Sequence, residues 1–224
     1  MNYDFDLGSV VAELPYLLGG AVVSLQIAVI TFFIGALFGL FGALGLVYGS
    51  TASRRVIRGY VTFFTNTPAL VQIFFLYYAL PDLGLLLSPI TCVLIGFVLN
   101  SAAYLTEIIR AGVISVRRAE LDAAQALNMS GAQIVIHVIL PHVARTIYPP
   151  LSNFFIILVL GSSLAALFGV EELTGRAINV STTNLRTIET FGAVAVIYIA
   201  ITFVASLSLA LLGRWAFRVR MRIF

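Results

Sequence analysis

The sequence predicts an all-α membrane protein with about five transmembrane helices, organised as a single domain over residues 1–224. Three observations lead there. Of 224 residues, 60% are hydrophobic and only 10% charged, and the mean hydropathy is +1.04, a balance that leaves too little polar surface for a soluble domain. The apolar residues fall in runs close to the roughly 20 needed to cross a hydrocarbon core. The remaining charges are gathered between those runs.

The N-terminal segment MNYDFDLGSVVAEL carries Asp4, Asp6 and Glu13 and no basic residue. The apolar stretch behind it is too long for the core of a signal peptide, so it reads as a retained span. This first span, Leu17 to Val47, holds no charge. Gly35 and Gly39 form a small-xxx-small step within it, followed by Gly42 and Gly45, a pattern that admits close helix packing.

The second span, Val56 to Leu80, is interrupted by Asn66, Thr67 and Pro68. Two readings of the break coexist. Thr67 and Pro68 suit the cap and first position of a new helix, and an interrupted span also exposes backbone donors that can meet a carboxylate. Gln72 lies about one turn further on. The third span, Leu85 to Ile109, acquires charge only at its end, and Asn100, Tyr104 and Glu107 recur on one helix face. Glu107 has two available partners, an ammonium group of a solute and Arg110. The single cysteine, Cys92, excludes an intrachain disulfide and reads as a small buried hydrophobe.

Between the third and fourth spans stands RAELDAAQALNMSGAQIVIHVILP, residues 118–141. Ala119, Ala123, Ala124 and Ala126 favour helix, and Glu120 and Asp122 lie early, near the positive end of the helix dipole. The expected object is a surface elbow over 115–141. Its first helix runs from Arg118 to Leu127, Asn128 takes a left-handed cap, and Ser130 caps a second helix that ends at Pro141. The fourth span, Ile147 to Val170, carries Asn153, Ser162 and Ser163 as candidate solute contacts or interhelical glue. The fifth, Phe191 to Leu212, is followed by Trp215 as an interfacial anchor.

Orientation follows from the arginines. Arg54, Arg55 and Arg58 follow the first span, Arg110, Arg117, Arg118 and Arg145 surround the elbow, and Arg214, Arg218, Arg220 and Arg222 follow the fifth. If the spans alternate, these eleven of the thirteen arginines share one face. The positive-inside rule makes that face the cytoplasm, with the N-terminus outside, the C-terminus inside and the elbow cytoplasmic.

At this point the residues resemble a known family. The spacing DAA, three residues, Asn128, nine residues, Val138, then ILP looks like the EAA loop of inner-membrane permease subunits of binding-protein-dependent ABC importers, in particular polar amino-acid importers. Four further blocks agree with that family: FFTNTPALVQIFFLYYALP (63–81), LNSAAYLTEIIRAG (99–112), LPHVARTIYPPLSNFFI (140–156) and SLAALFGVEELTG (163–175). The resemblance covers residues 14–224. Asp122 stands where the family has Glu and Asn128 where it has Gly, and each keeps the physical role. LGSS at 160–163 stands where such permeases usually read Lys-Asp-Thr-Ser, so Leu160 and Gly161 mark a departure near the expected solute route.

The resemblance implies a transmembrane subunit in a bacterial inner membrane that passes an amino acid or related polar solute, an opine among the candidates. Glu120, Asp122, Ala123, Ala124, Asn128 and Gly131 would form the coupling contact with an ABC ATPase. The solute path would draw on Asn66, Thr67, Gln72, Asn100, Tyr104, Glu107, Ser162 and Ser163, each costly within a membrane unless used or paired. Expected partners are ABC ATPase subunits, a second permease subunit in a homo- or heterodimer, a periplasmic or surface substrate-binding protein and the lipid bilayer, with no role for nucleic acid. No phosphate-cradling Gly-Lys-Ser/Thr sequence occurs. ATP and Mg are therefore expected on the partner, and this chain is expected to hold no cofactor, metal or catalytic residue. The rival classes are an ATP-independent channel or secondary transporter, for which no inverted repeat is evident, and a non-transporting scaffold.

Overall fold

A computed structural model describes residue 6 and residues 8–217; Asp4, Arg218, Arg220 and Arg222 lie outside these described residues. Every regular element among the described residues is helical. In chain order they are α1 (Gly8–Ala12), α2 (Leu14–Tyr48), α3 (Thr51–Thr65), α4 (Ala69–Phe74), α5 (Pro89–Ile114), α6 (Arg118–Ala126), α7 (Gly131–Ile134), α8 (Leu140–Gly161), α9 (Leu173–Asn184) and α10 (Thr187–Phe217).

Four helical stretches are long and apolar enough to cross a membrane: Leu14–Tyr48, Pro89–Ile114, Gly131–Phe168 and Thr187–Phe217. The expected second span differs. It is divided into α3 and a shorter apolar helix, Ala69–Ala79, whose last five residues form a π-helical turn. Pro68 has no N–H to continue α3 and biases Thr67 away from helical geometry. The helix therefore stops at Thr65, and Asn66 leaves the helical region at φ −102°, ψ 4°.

The elbow's second helix also departs from expectation, because it does not end at Pro141. A π-helical turn over Val135–Ile139 leads directly into α8, which continues through Pro141 and contains Pro149 and Pro150. A proline ring ordinarily collides with the carbonyl four residues back. For Pro141 that carbonyl belongs to His137, inside the widened turn. The helix thus passes a residue that usually ends one.

The described residues divide into two compact units. One comprises those through Phe32, Leu70–Phe97 and Phe155–Ala205; the other comprises Phe33–Ala69, Val98–Phe154 and those from Ser206 onward. The first has a core of Val10, Leu17, Ala21, Leu173, Ala177, Val180, Val194 and Ile197, supplied by α1, α2, α9 and α10. Beside it Glu172, fully buried, caps α9 by accepting from Gly175 N at 2.9 Å. It also accepts from the hydroxyls of Ser24 (2.8 Å) and Tyr198 (3.0 Å). Removal of water from a carboxylate is offset by such charge-assisted bonds.

In the second unit the small-residue step predicted in the first span seats α2 on α5. A Cβ on Gly35 would stand 2.8 Å from Ser101 Cβ, and one on Gly39 would stand 2.8 Å from Leu105 Cβ. Apolar side chains gain little by leaving lipid, so close backbone approach and dispersion contacts must hold such helices together.

Candidate functional site

The elbow and the helix break both lie in the second unit. In the elbow, α6 occupies 118–126 with Glu120 in its first turn. Asn128 then adopts φ 58°, the left-handed conformation expected of it. Asn128 N donates to Gln125 O at 2.8 Å and Met129 N to Ala124 O at 3.2 Å, closing the carbonyl end of α6. Two residues on, Ser130 and Gln133 form a reciprocal capping box, with Ser130 N donating to Gln133 Oε1 at 2.8 Å and Gln133 N to Ser130 Oγ at 3.4 Å. The turn is therefore closed by hydrogen bonds on both sides.

Asp122, Ala123, Asn128 and Gly131 are exposed and Glu120 is half-buried, whereas Ala124 is buried. The outward face is accordingly Asp122, Ala123 and Gln125 to Asn128, not the whole alanine run. Sequence reasoning missed Leu127, which is 77% exposed at the tip of the turn; an isolated apolar residue just before a left-handed cap was the available signal. His142 was not among the sequence-predicted site residues either. His142 Nδ1 lies 3.4 Å from Glu120 Oε2 and its Nε2 lies 3.1 Å from Ser115 Oγ, so one ring ties α6 to the end of α5 and the start of α8.

At the break, the carbonyls of Thr62 to Thr65 each accept from a side chain; Thr62 O also takes the backbone bond from Asn66 N at 3.2 Å, and the other three are those that helix geometry leaves without intrahelical donors. Asn66 Nδ2 donates to Thr62 O (2.8 Å), Thr67 Oγ1 to Phe63 O (2.9 Å), Asn100 Nδ2 to Phe64 O (3.0 Å) and Tyr104 Oη to Thr65 O (3.2 Å). Four of the eight path candidates thus converge on one helix end. Thr67, expected to cap the following helix, donates here to the preceding one. This end is the carbonyl pole of α3, whereas the donors expected of the break belong to the start of α4.

The other candidates are placed elsewhere. Glu107 Oε2 accepts two bonds from Arg110, at 2.6 Å from Nη2 and 3.0 Å from Nε, so the pairing alternative is the one observed. Gln72, Ser162 and Ser163 belong to the first unit. Gln72 is 8% exposed. Ser162 and Ser163 donate to Val159 O (2.7 Å) and Leu160 O (2.8 Å), each within its own helix, where the chain tightens to a 3₁₀ turn over Ser162–Phe168.

The family described as binding-protein-dependent transport system inner membrane component matches residues 33–218. The glutamine transport system permease protein GlnP of Escherichia coli (strain K12) is 34% identical over 212 residues, covering 94% of this chain and 97% of that protein. The nopaline transport system permease protein NocM of Agrobacterium fabrum is 31% identical, covering 97% of this chain and 94% of NocM. Among solved structures, a crystal structure of an amino acid ABC transporter with histidines superposes with a TM-score of 0.89 at 30% identity, covering 95% of this chain and all of that one.

Proposed function

The chain belongs to the binding-protein-dependent transport system inner membrane component family, and from that premise we propose that it passes an amino acid or a related small polar solute, opines included, through a bacterial inner membrane. The observation that carries this is colinear similarity to amino-acid and opine importer permeases over nearly the whole chain. An ATP-independent channel, a secondary transporter and a scaffold are not favoured, because the matched proteins are importer permeases.

In this reading the chain pairs with a second permease subunit, receives solute from a soluble binding protein and rests on ABC ATPase subunits that hold ATP and Mg. It carries no catalytic residue or cofactor of its own. The N-terminus faces outward and the elbow faces the cytosol, in line with the arginine distribution. The coupling contact is the exposed face around Asp122, Ala123, Leu127 and Asn128, with Glu120 and Ala124 holding that face in shape. Support comes from the hydrogen-bonded turn, since a rigid elbow transmits displacement and a loose loop absorbs it.

The test is co-purification from detergent with an ABC ATPase co-expressed with it. Wild-type protein retains the ATPase, and Leu127→Glu or Ala123→Arg releases it while leaving the thermal midpoint of the permease unchanged. Ala124→Arg is the poorer variant because its site is buried. A wild-type protein that retains no ATPase overturns the proposal.

A further inference from the structure

We propose that His142 is a positioning residue of the elbow: with a proton on both ring nitrogens it clasps Glu120 on α6 to Ser115, the residue after α5, and the hold of the elbow on its ATPase therefore weakens as the pH rises. The three residues belong to the second unit. The clasp stands on geometry, and its link to the ATPase rests on the coupling reading above.

A neutral imidazole has one N–H and one lone pair, and both ring nitrogens of His142 face oxygens. Nδ1 stands 3.4 Å from Glu120 Oε2, and Nε2 stands 3.1 Å from Ser115 Oγ. Ser115 has a single hydroxyl proton, which it donates to Gly112 O at 2.7 Å, so its oxygen meets Nε2 as an acceptor. An ionised carboxylate likewise offers lone pairs alone. Either neutral tautomer therefore sets a ring lone pair against an oxygen lone pair, at Nδ1 or at Nε2. The imidazolium, with an N–H on each side, suits both neighbours at once.

The other charged groups on the surrounding elements are Glu107 and Arg110, paired with each other at 2.6 Å on α5, Arg117 and Arg118 at the start of α6, Asp122 on its exposed side and Arg145 one turn along α8. Among the described residues, Glu120 is the carboxylate within ion-pairing distance of His142. The π-helical turn runs straight into α8, so the ring does not stand at a free helix N-terminus whose positive pole would oppose its charge. The second histidine, His137, bonds to Gln133 O of its own helical run at 3.0 Å. Both partners in the clasp are partly exposed, so the ring follows the pH of the surrounding water. Ser115 and Glu120 precede the turn of the elbow and His142 follows it, so the ring ties the elbow together at its base. A displacement at the tip then reaches α5 and α8 together. As the pH rises through the range in which histidine titrates, about 5 to 8, a lone pair meets one of the two oxygens and the base opens.

The test measures, at pH 6 and pH 8 in detergent, the affinity of the permease for a co-expressed ABC ATPase and the thermal midpoint of the permease alone. At pH 6 His142→Gln should weaken the ATPase complex roughly two- to fivefold, the range of a partly exposed ion pair, and should lower the thermal midpoint. At pH 8 both differences from wild type should vanish. His142→Arg keeps the positive charge and should hold the wild-type pH 6 behaviour at both pH values, whereas His137→Gln should leave the wild-type pH profile as it is. In a Glu120→Gln background, His142→Gln should have no further effect; should that background fail to fold, Ser115→Ala serves in its place. An effect of His142→Gln that is the same at pH 6 and pH 8, or that persists in full without Glu120, overturns the proposal. A wild-type chain that binds no ATPase at either pH overturns the coupling reading, and the thermal midpoints, which need no ATPase, still decide the clasp.

Discussion

Asn128 holds φ 58° where the elbow turns, a conformation that places the Cβ of most residues against their own carbonyl. Asparagine tolerates it, and glycine would as well. Asn128→Gly should leave the thermal midpoint and solute uptake close to wild type. Asn128→Val should cost about 1–2 kcal/mol and lower uptake into proteoliposomes more than it lowers expression. A second residue-scale prediction concerns Leu160 and Gly161, the departure from the amino-acid permeases. Leu160 is 47% exposed, and a Cβ on Gly161 would meet only Phe97 Cε1, at 3.9 Å, so larger polar side chains have room. Leu160→Lys with Gly161→Asp should shift relative uptake across a panel of amino acids and opines. Unchanged preference would show that the segment does not face the solute. At this scale the Asn128 conformation and the Ser130 cap were legible in the sequence because both are local hydrogen-bonding events. The pairing of His142 with Glu120 was not, since those residues are 22 positions apart and nothing local to either points to the other.

At the scale of elements, the break after α3 is the clearest junction. Asn66 and Thr67 return to carbonyls of their own helix, whereas Asn100 and Tyr104 reach it from α5. The face shared by Asn100, Tyr104 and Glu107 was legible from spacing. The use of that face by the end of α3 was not, because periodicity names a face and leaves its partner open. Asn100→Leu would leave Phe64 O without its donor, and the expected loss is about 1–3 kcal/mol, seen as a lower thermal midpoint with uptake partly retained at low temperature. Asn100→Asp, which keeps the shape but loses the donor, should be at least as damaging. The continuation of α8 through Pro141 is the converse case. A rule that proline ends helices is sound for regular α-helix, and the π-helical turn removes the clash the rule depends on.

For the whole molecule, length, oily composition and segregated arginines imply a multi-pass membrane protein, and the family follows from motifs spread along the chain. Orientation is tested by placing single cysteines in a Cys92→Ser background, Cys92 being buried. Leu127→Cys should react with a membrane-impermeant maleimide only from the cytosolic side, and Asp82→Cys only from outside; the reverse pattern would invert the topology. The sequence by itself determined what depends on neighbours in the chain: apolar length, helix caps, the charge pattern, and the small-residue step that lets α2 approach α5. Only the tertiary structure decided which polar groups spend their hydrogen bonds on other helices. Asn100, Tyr104 and Ala124 looked available in one dimension, and each is taken up by a contact or burial that depends on the folded arrangement. The physical reason is that a polar group in a membrane is costly when unpaired, so its partner is chosen by proximity in the fold, which spacing along the chain does not encode.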